Sequence, residues 1–173
     1  MSTKFKVDLN KADVSLSGGV ITAKGKEGTL SVEIKYPFIK TRIENGILFI
    51  DVAKDIAFQK AIGGTLAAQV RNMVKGVNEK YTAELELVYM HFPATLKVSG
   101  TKLVVENFVG ERKPREVEIP AGVAIKVSGT KITLSGIDKY LVGQAAGTIE
   151  LKIQIKNKDR RIFKDGVFIT KKP

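Results

Sequence analysis

Cysteine and tryptophan are absent from the 173 residues, and histidine occurs once, as His91. Without cysteine there is no disulfide, no thiolate metal site and no thiol nucleophile, which fits a reducing compartment such as the cytoplasm. A single histidine rules out a multi-histidine metal centre. Any Ser-His-Asp relay would have to use His91, within Tyr89-Met90-His91-Phe92-Pro93. That aromatic-rich junction precedes a predicted strand, and His91 reads there as a packing or hydrogen-bonding residue. Long apolar runs are lacking too: uncharged stretches such as Ala61 to Val70 reach ten residues, whereas a membrane helix needs about 20. The opening MSTKFKVDLN is charged from Lys4 onward, so no secretory signal is expected.

Nucleotide and metal motifs are missing as well. Gly25-Lys26-Glu27-Gly28 has neither the spacing nor the Gly-Lys-Ser/Thr ending of a phosphate loop. No dinucleotide fingerprint or parallel βαβ alternation occurs, and no acidic run resembles a calcium loop. Glu84, Glu86, Glu116 and Glu118 alternate along predicted strands as a solvated face. The expectation is a protein with no enzymatic activity, no cofactor, no metal and no membrane contact.

Acidic side chains are outnumbered, 18 against 29 basic ones, for a net charge of +11 and a pI near 9.8. That imbalance points to a polyanionic partner. The 43% hydrophobic share is that of a folded globular chain. Charge is uneven along it. Residues 1–80 carry +5, residues 81–155 only +1, and the last 18 residues +5.

Gly-centred hairpins recur. Leu96-Lys97-Val98-Ser99-Gly100-Thr101-Lys102-Leu103 is echoed by Ile125-Lys126-Val127-Ser128-Gly129-Thr130-Lys131-Ile132, and more loosely by Val14-Ser15-Leu16-Ser17-Gly18-Gly19-Val20-Ile21. Asn45-Gly46 predicts a further hairpin, since both residue types tolerate positive φ. Each half then ends in one helical pattern. Phe58, Ile62, Leu66, Val70, Met73, Val74 and Val77 recur at three- and four-residue spacing. Val142, Ala145, Ala146, Ile149 and Ile153 do the same behind Asp138, the predicted N-cap. Gly63, Gly64, Gly143 and Gly147 each cost about 1 kcal/mol against Ala inside a helix, and close approach to a sheet is the expected reason. The fold class is α/β of the α+β type: two homologous small domains, each an antiparallel β-sheet with one helix packed on one face. The domains are placed at 1–80 and 81–173, the second carrying a basic tail, 156–173.

Within that tail Asp165-Gly166, flanked by Ile162-Phe163 and Val167-Phe168, predicts a tight hairpin with Phe163 facing Phe168 and Arg160 facing Lys171. The candidate polyanion contacts are Lys156, Lys158, Arg160, Arg161, Lys164, Lys171 and Lys172 in the tail, with Arg112, Lys113 and Arg115 in a proline-stiffened loop. With no Trp and no aromatic RNA-binding motif, contact through phosphates, 2′-hydroxyls and helix shape is favoured over the reading of unstacked bases.

Several stretches together resemble one family. Lys158-Asp159-Arg160-Arg161-Ile162-Phe163-Lys164-Asp165-Gly166-Val167-Phe168-Ile169 is similar to the C-terminal signature of large-subunit ribosomal protein six, in its archaeal and eukaryotic branch. Ile162 stands where that family usually has Val, and Phe168 where Tyr is common. Arg71-Asn72-Met73-Val74-Lys75-Gly76-Val77, Tyr89-Met90-His91-Phe92-Pro93, Asn107-Phe108-Val109-Gly110-Glu111 with Pro114-Arg115, and Val142-Gly143-Gln144-Ala145-Ala146 follow in family order. The resemblance implies a structural constituent of the large ribosomal subunit, bound to large-subunit rRNA mainly through its C-terminal domain and tail. It implies a position near the sarcin-ricin loop and the factor-binding site, neighbouring ribosomal proteins as partners, and translation factors only indirectly. A non-ribosomal RNA-binding module on the same fold is the alternative.

Overall fold

The computed structural model describes residues 4–9, 12–54, 56–159 and 161–173. The chain divides into two compact units, Met1–Lys80 and Tyr81–Pro173. Among the described residues the first unit holds β1 (Lys4–Asp8), β2 (Asp13–Ser17), β3 (Val20–Gly25), β4 (Gly28–Glu33), β5 (Ile39–Glu44), β6 (Ile47–Val52) and α1 (Ala57–Gly76). The second holds β7 (Tyr81–Val88), β8 (Thr95–Ser99), β9 (Lys102–Glu106), β10 (Arg115–Glu118), β11 (Val123–Ser128), β12 (Lys131–Gly136), α2 (Lys139–Lys152) and β13 (Gly166–Lys171).

Each unit carries its strands in two antiparallel sheets. The first has the orders β1-β6-β5 and β2-β3-β4; the second has β13-β7-β12-β11 and β10-β9-β8. Replacing β1 to β6 by β7 to β12 turns one pattern into the other, so the plan is duplicated and β13 is the addition. This topology relocates the repeat seen in the sequence. The two Ser-Gly-Thr-Lys hairpins, β8–β9 and β11–β12, lie in different sheets of one unit. The counterpart of β8–β9 is β2–β3, the loosest of the three copies.

Turn chemistry sets the hairpins. Asn45 (φ 51°) and Gly46 (φ 73°) join Glu44 to Ile47, its partner across the ladder. Both central residues take the left-handed conformation that matches strand twist. Strand alternation then sends one face inward: Tyr81, Ala83, Leu85 and Leu87 of β7 are buried, with Thr82 and Glu84 exposed between them.

The core of the second unit packs those residues with Ile132 and Leu134 of β12 and with Val142, Ala145, Ala146 and Ile149 of α2. In the first unit Val7, Ile21, Leu48 and Ile50 meet Leu66, Val70 and Val74 of α1. Each such aliphatic contributes about 1.5–3 kcal/mol on full burial. Phe58, placed in the apolar row of α1 by its spacing, is instead exposed at the helix start. Asp138 caps α2 by accepting from the Tyr140 amide at 2.8 Å.

The helix glycines divide. A Cβ on Gly63 would stand 2.7 Å from Val52 Cγ2 and 2.9 Å from Phe5 Cε2, so the expected close approach is real there. At Gly147 it would meet nothing within 4 Å, and sheet contact does not explain that glycine.

The tail departs most from expectation. Asp165-Gly166 is not a hairpin turn: Gly166 opens β13, which pairs antiparallel with β7 as Gly166↔Val88, Val167↔Leu87, Phe168↔Glu86 and Ile169↔Leu85. Lys171 lies opposite Glu84. The turn falls earlier, where the Ile162 and Phe163 amides donate to the Asp159 carbonyl at 3.1 and 2.9 Å. Phe163 therefore faces His91 and not Phe168. The expected pairing of Arg160 with Lys171 concerns Arg160, which lies outside the described residues. Long-range pairing with β7 and the burial of Val167 outweigh the local turn preference of Asp-Gly.

Candidate nucleic-acid interface

Two cationic stretches of the second unit hold most of the candidate residues. The first follows a 3-10 turn, Phe108–Gly110, in which Phe108 is buried and Val109 takes a left-handed conformation (φ 52°, ψ 33°). That conformation is costly for a β-branched residue. Arg112 and Lys113 come next, in an exposed bend. Arg115 is built differently. Its guanidinium sits 4.4 Å from the Phe108 ring centroid and forks onto the Glu111 carboxylate. It also donates to the backbone carbonyls of Gln154 (2.9 Å) and Lys152 (3.3 Å) at the end of α2. The hydrogen bond from Arg115 is the main cause holding the Glu111 carboxyl below its ordinary range. A cation at a helix C-terminus satisfies carbonyls that lack helical partners. Arg115 thus clamps β10 to α2, while Arg112 and Lys113 are displayed.

The second stretch runs from the end of α2 to β13. Ile153 and Ile155 are buried before it, and Asp165, Gly166 and Val167 after it, so the segment is pinned at both ends. Between those anchors Lys156, Lys158, Arg161 and Lys164 are exposed. Asn157 supplies a left-handed turn (φ 60°). The Lys158 Nζ lies 4.5 Å from the centre of the Phe163 ring. Arg161 Nη2 meets Asp159 Oδ2 at 2.9 Å, and this bond chiefly lowers the Asp159 carboxyl. The Arg161 side chain is 91% exposed, and such surface pairs are weak enough for a phosphate to compete. Lys171 pairs with Glu84 at 3.4 Å, and Lys172 is exposed beyond the strand.

Asp165 is the hub beneath this segment and, among the described residues, the one buried charged side chain. It accepts from the Met90 amide (2.9 Å), the His91 amide (3.4 Å) and His91 Nδ1 (3.0 Å). Burial pushes its carboxyl up, but the Met90 amide and the His91 ring and amide outweigh that and hold it below the ordinary range. His91 stacks on Phe163 with ring centroids 4.7 Å apart. In the sequence Asp165 is legible only as a turn residue. Its one signal there is an acidic residue beside Phe163 in a chain with a single histidine. No group of three or more metal-ligating side chains and no helix long and apolar enough to cross a membrane occurs among the described residues.

A family model described as ribosomal protein L6 matches residues 92–166. The chain is 45% identical over 159 residues to the large ribosomal subunit protein uL6 of Methanosarcina mazei, covering 92% of this chain and 90% of that protein. It is 40% identical over 160 residues to the uL6 of Methanocella arvoryzae, with the same coverage. The chain belongs to the ribosomal protein L6 (uL6) family. It is accordingly a structural constituent of the large ribosomal subunit and not an enzyme. The match to the L6 model takes in the Arg112-Lys113 bend, the Arg115 clamp, α2 and the pinned cationic segment, and it ends on Gly166, beside the buried Asp165.

Proposed function

We propose that residues 81–173 act as the RNA-binding domain, gripping large-subunit rRNA between Arg112-Lys113 and the cationic segment from Lys156 to Lys164, with Lys172 beyond. Arg160, by its place in the sequence, belongs to the same set. The observation that carries this reading is the pinning: four exposed cations stand on a segment buried at both ends. Pre-organisation lowers the ordering cost of binding. Phosphate neutralisation releases condensed counterions, and Arg161 adds a forked hydrogen bond that lysine cannot make. Arg115 and Lys171 contribute indirectly, the first as the clamp beneath the bend and the second through its pairing with Glu84. The domain thereby braces rRNA helices near the sarcin-ricin loop and the factor-binding site of the cytoplasmic ribosome. Neighbouring ribosomal proteins touch the remaining surface, and translation factors sense it only through the RNA shape.

The test is the salt dependence of binding to deproteinised large-subunit rRNA. Arg161→Ala with Lys164→Ala should weaken binding and reduce the slope of log K against log salt by about 2. A slope and affinity equal to those of the wild type would overturn the assignment.

A further inference from the structure

The loop Tyr89–Pro93 joins the two cationic stretches. On one side its Met90 and His91 amides hang from Asp165. On the other, the Phe92 ring packs 3.5 Å from the Cβ position of Gly110, and Asn107 Nδ2 donates to the Pro93 carbonyl at 2.9 Å. Between clusters of positive charge, this loop is apolar and uncovered: Tyr89 is 42%, Met90 65% and Phe92 46% exposed. Phosphate contact has no use for such side chains. An ionised carboxylate only accepts, so Nδ1 of His91 carries the proton toward Asp165. Nε2, across the ring, is left for a partner outside the chain. Stacking on Phe163 fixes the plane of that ring.

We propose that this loop is the nucleotide-reading part of the surface: His91 Nε2 hydrogen-bonds a ribose 2′-hydroxyl, while Met90 and Phe92 cover the sugar and base face of the same unpaired nucleotide. The inference rests on the RNA-binding reading above and adds the chemical group read. A 2′-hydroxyl both donates and accepts, so it suits Nε2 whether or not that nitrogen is protonated. Aromatic and apolar surface beside it suits a splayed nucleotide, so this exposed loop departs from the shape-only contact expected of a chain without tryptophan. Asp165, buried and triply bonded, acts as the positioning residue that selects the His91 tautomer.

The full chain bound to deproteinised large-subunit rRNA, probed by 2′-hydroxyl acylation, tests this. Wild type should shield a nucleotide that His91→Gln exposes again, with affinity lowered about 3–10-fold, the size of one net hydrogen bond, and an unchanged salt slope. Met90→Ser keeps the backbone bond to Asp165 and should lower affinity without altering the melting temperature. Lys164→Ala should do the reverse, reducing the slope while the nucleotide stays shielded. If both loop variants bind and shield as wild type does while Lys164→Ala weakens binding, the loop assignment falls and the RNA reading stands. If none of the three changes binding, the RNA reading falls with it. Normal binding to naked rRNA combined with poor incorporation into whole subunits would assign the loop to a protein neighbour and overturn the proposal.

Discussion

Seventy-five residues separate Met90 from Asp165 in the chain, and a 2.9 Å hydrogen bond from amide to carboxylate joins them. The bond ties the exit of β7 to the entrance of β13, so the strand added to the duplicated plan is anchored by the element it pairs with. Asp165→Ala should leave the Met90 amide and the His91 ring without their acceptor. Both hydrogen bonds are only partly buried, so the expected cost is about 0.5–1.5 kcal/mol for each one lost. Thermal unfolding measures it, and Asp165→Asn, which keeps one acceptor oxygen, should lose less. An unchanged melting temperature for the alanine variant would contradict the hub.

Acid should act through the same carboxylate. Its folded value lies below its ordinary 3.8, so the unfolded chain takes up the proton first as pH falls. The stabilisation is therefore complete above about pH 5 and is lost as pH drops through the folded value. Melting temperatures between pH 2 and 6 should fall more steeply for the wild type than for Asp165→Asn. Parallel curves would count against an ionised Asp165.

Glycines in the two helices should respond with opposite sign. Gly63→Ala places a methyl against Val52 and Phe5, and overpacking of this kind costs about 1–3 kcal/mol, more than the roughly 1 kcal/mol gained in helix propensity. Gly147→Ala has open space and should raise stability by about 0.5–1 kcal/mol. Chemical denaturation of both variants checks the contrast, and destabilisation by Gly147→Ala would refute it.

Arg115 and Lys113 stand two residues apart in one basic cluster and should separate by phenotype. Arg115→Ala removes charge-assisted bonds to the carbonyls of Lys152 and Gln154 and should cost about 1.5–3 kcal/mol of stability. Arg115→Lys should recover little, because an ammonium cannot fork. Lys113→Ala should melt as the wild type does and bind rRNA more weakly. Equal melting temperatures for all three would remove Arg115 from the scaffold.

Much of this protein was decided within windows of a few residues. Alternation along Tyr81 to Leu87 sets one face of β7, Asn45-Gly46 closes a hairpin because both residues tolerate positive φ, and Asp138 starts α2 because its carboxylate reaches the next turn. The basic excess at the C-terminus and the family likeness were legible in the same way. Tertiary structure alone decided the rest. Asp165-Gly166 has the local signature of a turn, yet a two-residue turn preference is small beside three hydrogen bonds to a buried carboxylate and a ladder with β7. Arg115 and Lys113 look equivalent in sequence, and only the end of α2, nearly forty residues downstream, assigns one to the scaffold and leaves the other in solvent. Local patterns settle what a residue's neighbours in the chain can satisfy. Partners brought together by the fold settle the remainder, because buried polar groups must be matched wherever the match lies.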